Sequence, residues 1–135
     1  MKILRIIWAS LVLTLLIYGV ILMTLANAWG APERSLEDIL RSPFVLVLGV
    51  AGLASLTMAF VLPAGILRRN AAVPNIERTA CVIQWALIES VAIYGVLASF
   101  ILQDVRPFLG FAAVALAAFV MTFPTEEKLR RPSAL

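Results

Sequence analysis

From Ala80 to Leu102 the chain reads ACVIQWALIESVAIYGVLASFIL, an apolar run with one ionisable acid, Glu89, near its middle. A helix of this length, rising about 1.5 Å per residue, crosses the roughly 30 Å of hydrocarbon in a bilayer. Three further runs share that character: about Ile3 to Ala28, Phe44 to Leu67, and Phe108 to Phe123. The last is short and predicts a helix held between neighbours or one that thins the bilayer. Pro43 and Pro107 stand at the first turns of the second and fourth runs, where a missing N–H costs nothing. Pro63 and Pro124 stand near their ends, where the ring kinks or stops a helix. The reading is all-α: one membrane domain over 1–135, with spans at about 3–28, 44–67, 80–102 and 108–123 and an outer loop over 29–42.

Composition agrees. Hydrophobic residues are 62% and charged residues 14% of the 135, and mean hydropathy is +1.00. Soluble domains run at about 45–50% apolar and about 25% charged. A globule of this size cannot hide so much apolar surface, which argues against soluble enzymes, nucleic-acid binders and disordered tails. Cys81 is the only cysteine and there is no histidine, so a disulfide framework, histidine-bound zinc and a Ser-His-Asp triad are excluded. Cys81, at the end of the third span, reads as a plain buried thiol, with acylation the alternative. Lys2, Arg5 and the Ala26-Asn27-Ala28 triplet imitate a signal peptide, but the apolar run between them exceeds the roughly 7–15 residues of such segments. It is read as a true span.

Orientation follows from the cations. Lys2, Arg5, Arg68, Arg69, Arg78, Lys128, Arg130 and Arg131 fall on one side, and Arg34, Arg41 and Arg106 on the other. The richer side is cytoplasmic by the positive-inside rule, which places both termini there. Trp8 and Trp29 bracket the first span as interfacial aromatics do. In the outer loop, Ser35-Leu36-Glu37-Asp38 fits a capping box opening a short helix over Leu36 to Arg41, and equally a polar turn.

The halves resemble each other. Leu16-Ile17-Tyr18-Gly19-Val20 parallels Ala92-Ile93-Tyr94-Gly95-Val96, and Arg41-Ser42-Pro43-Phe44 parallels Val105-Arg106-Pro107-Phe108. Pro63 with Leu67-Arg68-Arg69 parallels Pro124 with Leu129-Arg130-Arg131. The order of the matches predicts a duplicated helical hairpin in one orientation; shared chemistry of helix boundaries explains them otherwise.

Glu89 lies about ten residues into its span, hence about 15 Å deep. Ionising it there costs at least about 2.5–3.5 kcal/mol, and no span offers a cation at that depth, so the expectation is a carboxyl that keeps its proton at rest. Leu13 occupies the equivalent place in the first half. Glu89, Ile93 and Val96 share one face, with Ala86, Ser90 and Tyr94 on the adjoining one. Gly49, Ala51, Gly52, Ser55 and Ala59 in the second span, Gly95 in the third, and Ala113 and Ala117 in the fourth are small residues that let helices approach closely, and they suggest an oligomer.

The segment Ala86-Leu87-Ile88-Glu89-Ser90-Val91-Ala92-Ile93-Tyr94-Gly95-Val96 resembles the second helix of the c-type proteolipid of rotary ATP synthases, over about residues 49–102 of this chain. The small-residue second span resembles that family's first helix, and the basic loop from Arg68 to Arg78 resembles its polar loop. The resemblance implies that Glu89 binds and releases a proton or sodium ion while copies form a ring. For sodium, Ser90, Tyr94 and the Leu87 carbonyl would assist. The second span lacks the Gln or Glu that completes a sodium shell, the Arg-Gln-Pro loop becomes Arg68-Arg69-Asn70 with a later Pro74, and two extra spans flank the hairpin.

The expectation is therefore a multi-pass protein of a bacterial inner membrane, not an enzyme and without a cofactor. Its expected partners are the bilayer, further copies or other membrane subunits. A structural or accessory subunit without transport activity is the alternative. A solute transporter is a weaker fit, since no helix is broken at midplane depth, and one carboxyl without a partner group does not make acid–base catalysis.

Overall fold

A computed structural model of the protein describes residues 2–31, 33–70 and 72–125. The described residues form five helices and no strand: α1 (Lys2–Trp29), α2 (Leu36–Arg41), α3 (Pro43–Arg69), α4 (Ile76–Leu102) and α5 (Arg106–Met121). Three of them, α1, α3 and α4, are long and apolar enough to cross a membrane; α5, with 16 residues, is a shorter apolar helix. The Leu129-Arg130-Arg131 end of the third repeat match, the cations Lys128, Arg130 and Arg131, and the C-terminal tail from Glu126 lie outside the described residues.

The boundaries follow the local chemistry. Pro43 and Pro107 both occupy the first turn of their helices. Pro63 does not end its helix: α3 continues through it to Arg69, with the ring buried. Of the two readings of the outer loop, the helix is the one formed. Ser35 caps α2, its hydroxyl accepting from the Asp38 amide, while the Asp38 carboxylate accepts from the Ser35 amide at 3.2 Å. The Ser35 hydroxyl also donates to the Asp38 carboxylate at 2.6 Å, and this bond, with the Ser35 amide behind it, holds the Asp38 carboxyl below the usual carboxylate range.

The helix α4 is the centre of the fold. It packs along α3, turns back into α5 and lies against α1. Its inward stripe is Trp85, Ile88, Ala92, Gly95 and Ser99, all buried. In a bilayer this packing is driven by van der Waals contact and hydrogen bonds, because lipid tails are as apolar as leucine. The duplicated hairpin expected from the repeat is not the arrangement seen: α1 packs on α4 and α5, and forms no comparable interface with α3. The two repeat glycines share a task instead, since Gly19 on α1 and Gly95 on α4 both abut Phe108 of α5.

The corner between α4 and α5 is tightly tied. Gln103 turns the chain with a left-handed φ of 52°, and the Asp104 amide reaches back to the Ser99 carbonyl, a Schellman-type closure. The buried Ser99 hydroxyl accepts from the Phe108 amide at 3.0 Å, and Asp104 accepts from the Arg106 amide at 2.9 Å. These bonds satisfy amides that the first turn of α5 leaves without a helical partner.

At the other end of α5 the same problem is solved by two tryptophans. Trp8 of α1 donates its Nε1–H to the Phe119 carbonyl at 3.0 Å, and Trp85 of α4 donates to the Thr122 carbonyl at 3.3 Å. The Thr122 hydroxyl donates to the Ala118 carbonyl at 2.8 Å. At about 1.5 Å per residue α5 is only about 24 Å long, and these donors satisfy carbonyls at its C-terminal end that the helix itself leaves without partners.

The cations segregate by end. Arg34, Arg41 and Arg106 gather where α2 lies, and Lys2, Arg5, Arg68, Arg69 and Arg78 at the opposite end.

Candidate functional site

Glu89 is the central residue of α4, with thirteen residues of the helix before it and thirteen after. That is about 20 Å of helix on either side. The side chain is half-buried and makes no hydrogen bond or ion pair among the described residues. Its place on the helix explains this. The outward stripe of α4 runs Val82, Ala86, Glu89, Ile93, Leu97 and Phe100, and every member but Glu89 is exposed. Glu89 therefore stands at the edge of the outward face, away from the core of Trp85, Ile88 and Ala92.

The groups expected around it are otherwise engaged. The Ser90 hydroxyl donates to the Leu87 carbonyl at 2.7 Å, a bond within its own helix. That is the usual way for a membrane serine to satisfy itself. The Tyr94 hydroxyl lies 3.5 Å from that of Ser55 on α3, a long contact worth little as a hydrogen bond. Tyr94 thus leans toward α3. Ser90 and Leu87 form one local pair and Ser55 and Tyr94 another; Glu89 belongs to neither. No group of three or more metal-ligating side chains occurs among the described residues.

The small residues divide into two kinds. Gly52, Ala59 and Gly95 are buried, and Ala51 and Ser55 are half-buried. The side chain of Phe111 nests between Gly52 and Gly95: a Cβ on Gly52 would lie 3.2 Å from its ring, and one on Gly95 would lie 2.6 Å from its Cβ. Gly49 is different, since a Cβ there meets nothing within 4 Å. Ala113 and Ala117 are exposed, and α5 makes its close approach through Ala115 and Ala118 instead, which face α4 and α1.

Sequence reading did not single out Phe111, Trp85 or Asp104. The aromatic facing two glycines is visible only once three helices are brought together. Asp104 left a fainter signal, an acid two residues ahead of the first residue of α5. Its carboxylate takes the Arg106 guanidinium at 2.6–3.0 Å, and that partner holds the carboxyl below its ordinary range despite the cost of burial. The same guanidinium donates to the Arg34 carbonyl at 2.7 Å, tying the loop before α2 to this corner.

No protein family, curated protein or solved structure matched the chain on comparison.

Proposed function

We propose that the protein is a four-pass integral protein of a bacterial inner membrane, with both termini cytoplasmic, that presents Glu89 as a protonatable carboxyl to a neighbouring membrane helix. In this reading Glu89 takes up and releases a proton at a contact between subunits, as the resemblance to the c-type proteolipid implies. The observation that carries it is the position of Glu89: mid-length on the central helix, at the edge of its outward face, with no partner inside the described chain. An acid so placed is costly in lipid and calls for a partner outside the chain. A proton fits better than sodium, because the hydroxyls of Ser90 and Tyr94 are turned to Leu87 and Ser55.

Dicyclohexylcarbodiimide attacks protonated carboxyls in apolar surroundings. In native membranes it should modify Glu89, and Glu89→Gln should abolish that labelling. A Glu89 that stays unlabelled while the chain is intact in the membrane overturns the reading.

One observation favours a structural or accessory subunit instead. The helix that carries Glu89 is packed against α1, α3 and α5 within one chain, so less of it is open to a moving partner than in a simple hairpin. On that reading Glu89→Gln leaves the complex and its activity intact. The protein would then purify as one copy among other subunits rather than as a closed ring.

A further inference from the structure

On the side of α4 away from α1, the helices α3 and α5 diverge and leave a groove of about 400 Å³. Gly49, Gly52 and Leu53 form one wall, Val91 the floor, and Gly110 and Val114 the other wall. The short helix α2 lies across one end, where Arg106 also reaches the lining. Apart from Arg106 the lining is apolar.

We infer that this groove holds one acyl chain of a phospholipid, with the lipid phosphate at Arg106. The proposal rests on the chain lying in a membrane and is independent of any role for Glu89.

The dimensions select the occupant. From Val45 to Leu56, the lining residues of α3 cover eleven helical steps, about 16 Å. A helix about 10–12 Å across with its side chains occupies roughly 1,300–1,800 Å³ over that length, several times what the groove holds. A single hydrocarbon chain, whose carbons sit about 3.5–4.0 Å from their neighbours, is about 4–5 Å wide and fits. The glycines make the room. A Cβ on Gly49 or on Gly110 meets nothing within 4 Å, so the hollow lies directly over them.

Hydrogen bonding selects the headgroup. The Arg106 side chain is 32% exposed, while its partner Asp104 is 5% exposed. Nε and Nη2 are engaged with Asp104 and the Arg34 carbonyl, and Nη1 makes no hydrogen bond among the described residues. The pair with Asp104 is formally neutral, so it is the free Nη1 donor at the mouth of an apolar groove that suits a phosphodiester joined to an acyl chain. Leu36 and Leu40 of α2, 59% and 57% exposed, place apolar side chains at the same level, as an interfacial helix does.

The test uses the full chain, reconstituted in vesicles of phosphatidylglycerol and phosphatidylcholine and then transferred to mild detergent for native mass spectrometry. One phospholipid per copy should survive the transfer. Filling the groove with Gly49→Leu and Gly110→Leu should lower that retention at least tenfold while the helical circular dichroism stays the same. Vesicles doped with diacylglycerol of the same chains, which lacks the phosphate, should give several-fold less retention. Gly49→Val alone provides the same readout if the double variant does not fold. Absence of retained lipid on the unaltered chain overturns the proposal. So does equal retention by the filled variant, equal retention of diacylglycerol, or an oligomer that falls apart on filling with no change in lipid count.

Discussion

Replacing Gly95 with alanine tests the contact on which the α4–α5 pair depends. A Cβ there lies 2.6 Å from the Cβ of Phe111, 3.1 Å from the Cα of Phe108 and 3.2 Å from the Cγ of Phe111. Non-bonded carbons rest about 3.5–4.0 Å apart, so α5 must retreat by about 1 Å. No rotamer change relieves this, because the nearest atoms are a backbone carbon and a Cβ bonded directly to backbone. Overpacking a close-packed site costs about 1–3 kcal/mol, and alanine returns at most about 1 kcal/mol through its better helix propensity. That leaves about 0–2 kcal/mol, and the 2.6 Å approach to a Cβ that cannot rotate away puts the net loss at the upper end, about 2 kcal/mol. Gly110→Ala is the control, since a Cβ on that residue of α5 meets nothing within 4 Å. It should leave stability unchanged or raise it by up to about 1 kcal/mol. The measurement is equilibrium unfolding of the detergent-solubilised chain in sodium dodecyl sulfate, followed by far-ultraviolet circular dichroism. Phe111→Ala should not rescue Gly95→Ala, because the obstructing Cβ remains. If Gly95→Ala unfolds at the same point as the unaltered chain, or as Gly110→Ala, the close approach of α4 and α5 is not as described.

Trp8→Phe and Trp85→Phe each remove one indole donor from the last turn of α5, and each should cost about 0.5–1.5 kcal/mol in the same unfolding assay. They should also speed hydrogen exchange near the Thr122 end of α5 while leaving α3 unchanged. Acid should loosen the α4–α5 corner. The Asp104 carboxyl is held below its ordinary value of 3.8, chiefly by its hydrogen bond to Arg106, so its contribution is complete above that value. That contribution is lost as pH falls below 3.8 and through the lowered folded value. The melting temperature should therefore drop over that acid range, and Asp104→Asn should lower it at neutral pH and flatten the acid limb; an unchanged acid limb in Asp104→Asn would show that another group controls it.

The number and extent of the apolar helices were legible in the chain, because burying a backbone in hydrocarbon demands an unbroken helix and an apolar run to cover it. The proline-started helices and the Ser35–Asp38 cap were legible for a similar reason: a helix end is settled by two or three neighbouring residues. The mid-length place of Glu89 on its helix followed from counting residues along the apolar run. Which face of α4 carries Glu89, and what surrounds it, did not follow, because side-chain partners come from helices far apart in sequence. Pro63 shows the limit from the other direction, since the local rule allows a stop and α3 runs on regardless. The repeat shows it most plainly. Matching segments suggested two equivalent hairpins, yet α1 settles on α4 and α5, where Trp8 serves the Phe119 carbonyl in the last turn of α5. Segment pattern fixes which stretches are helical; their mutual packing is decided by small residues, aromatic notches and stray carbonyls meeting across the bundle, and only the assembled fold brings those together.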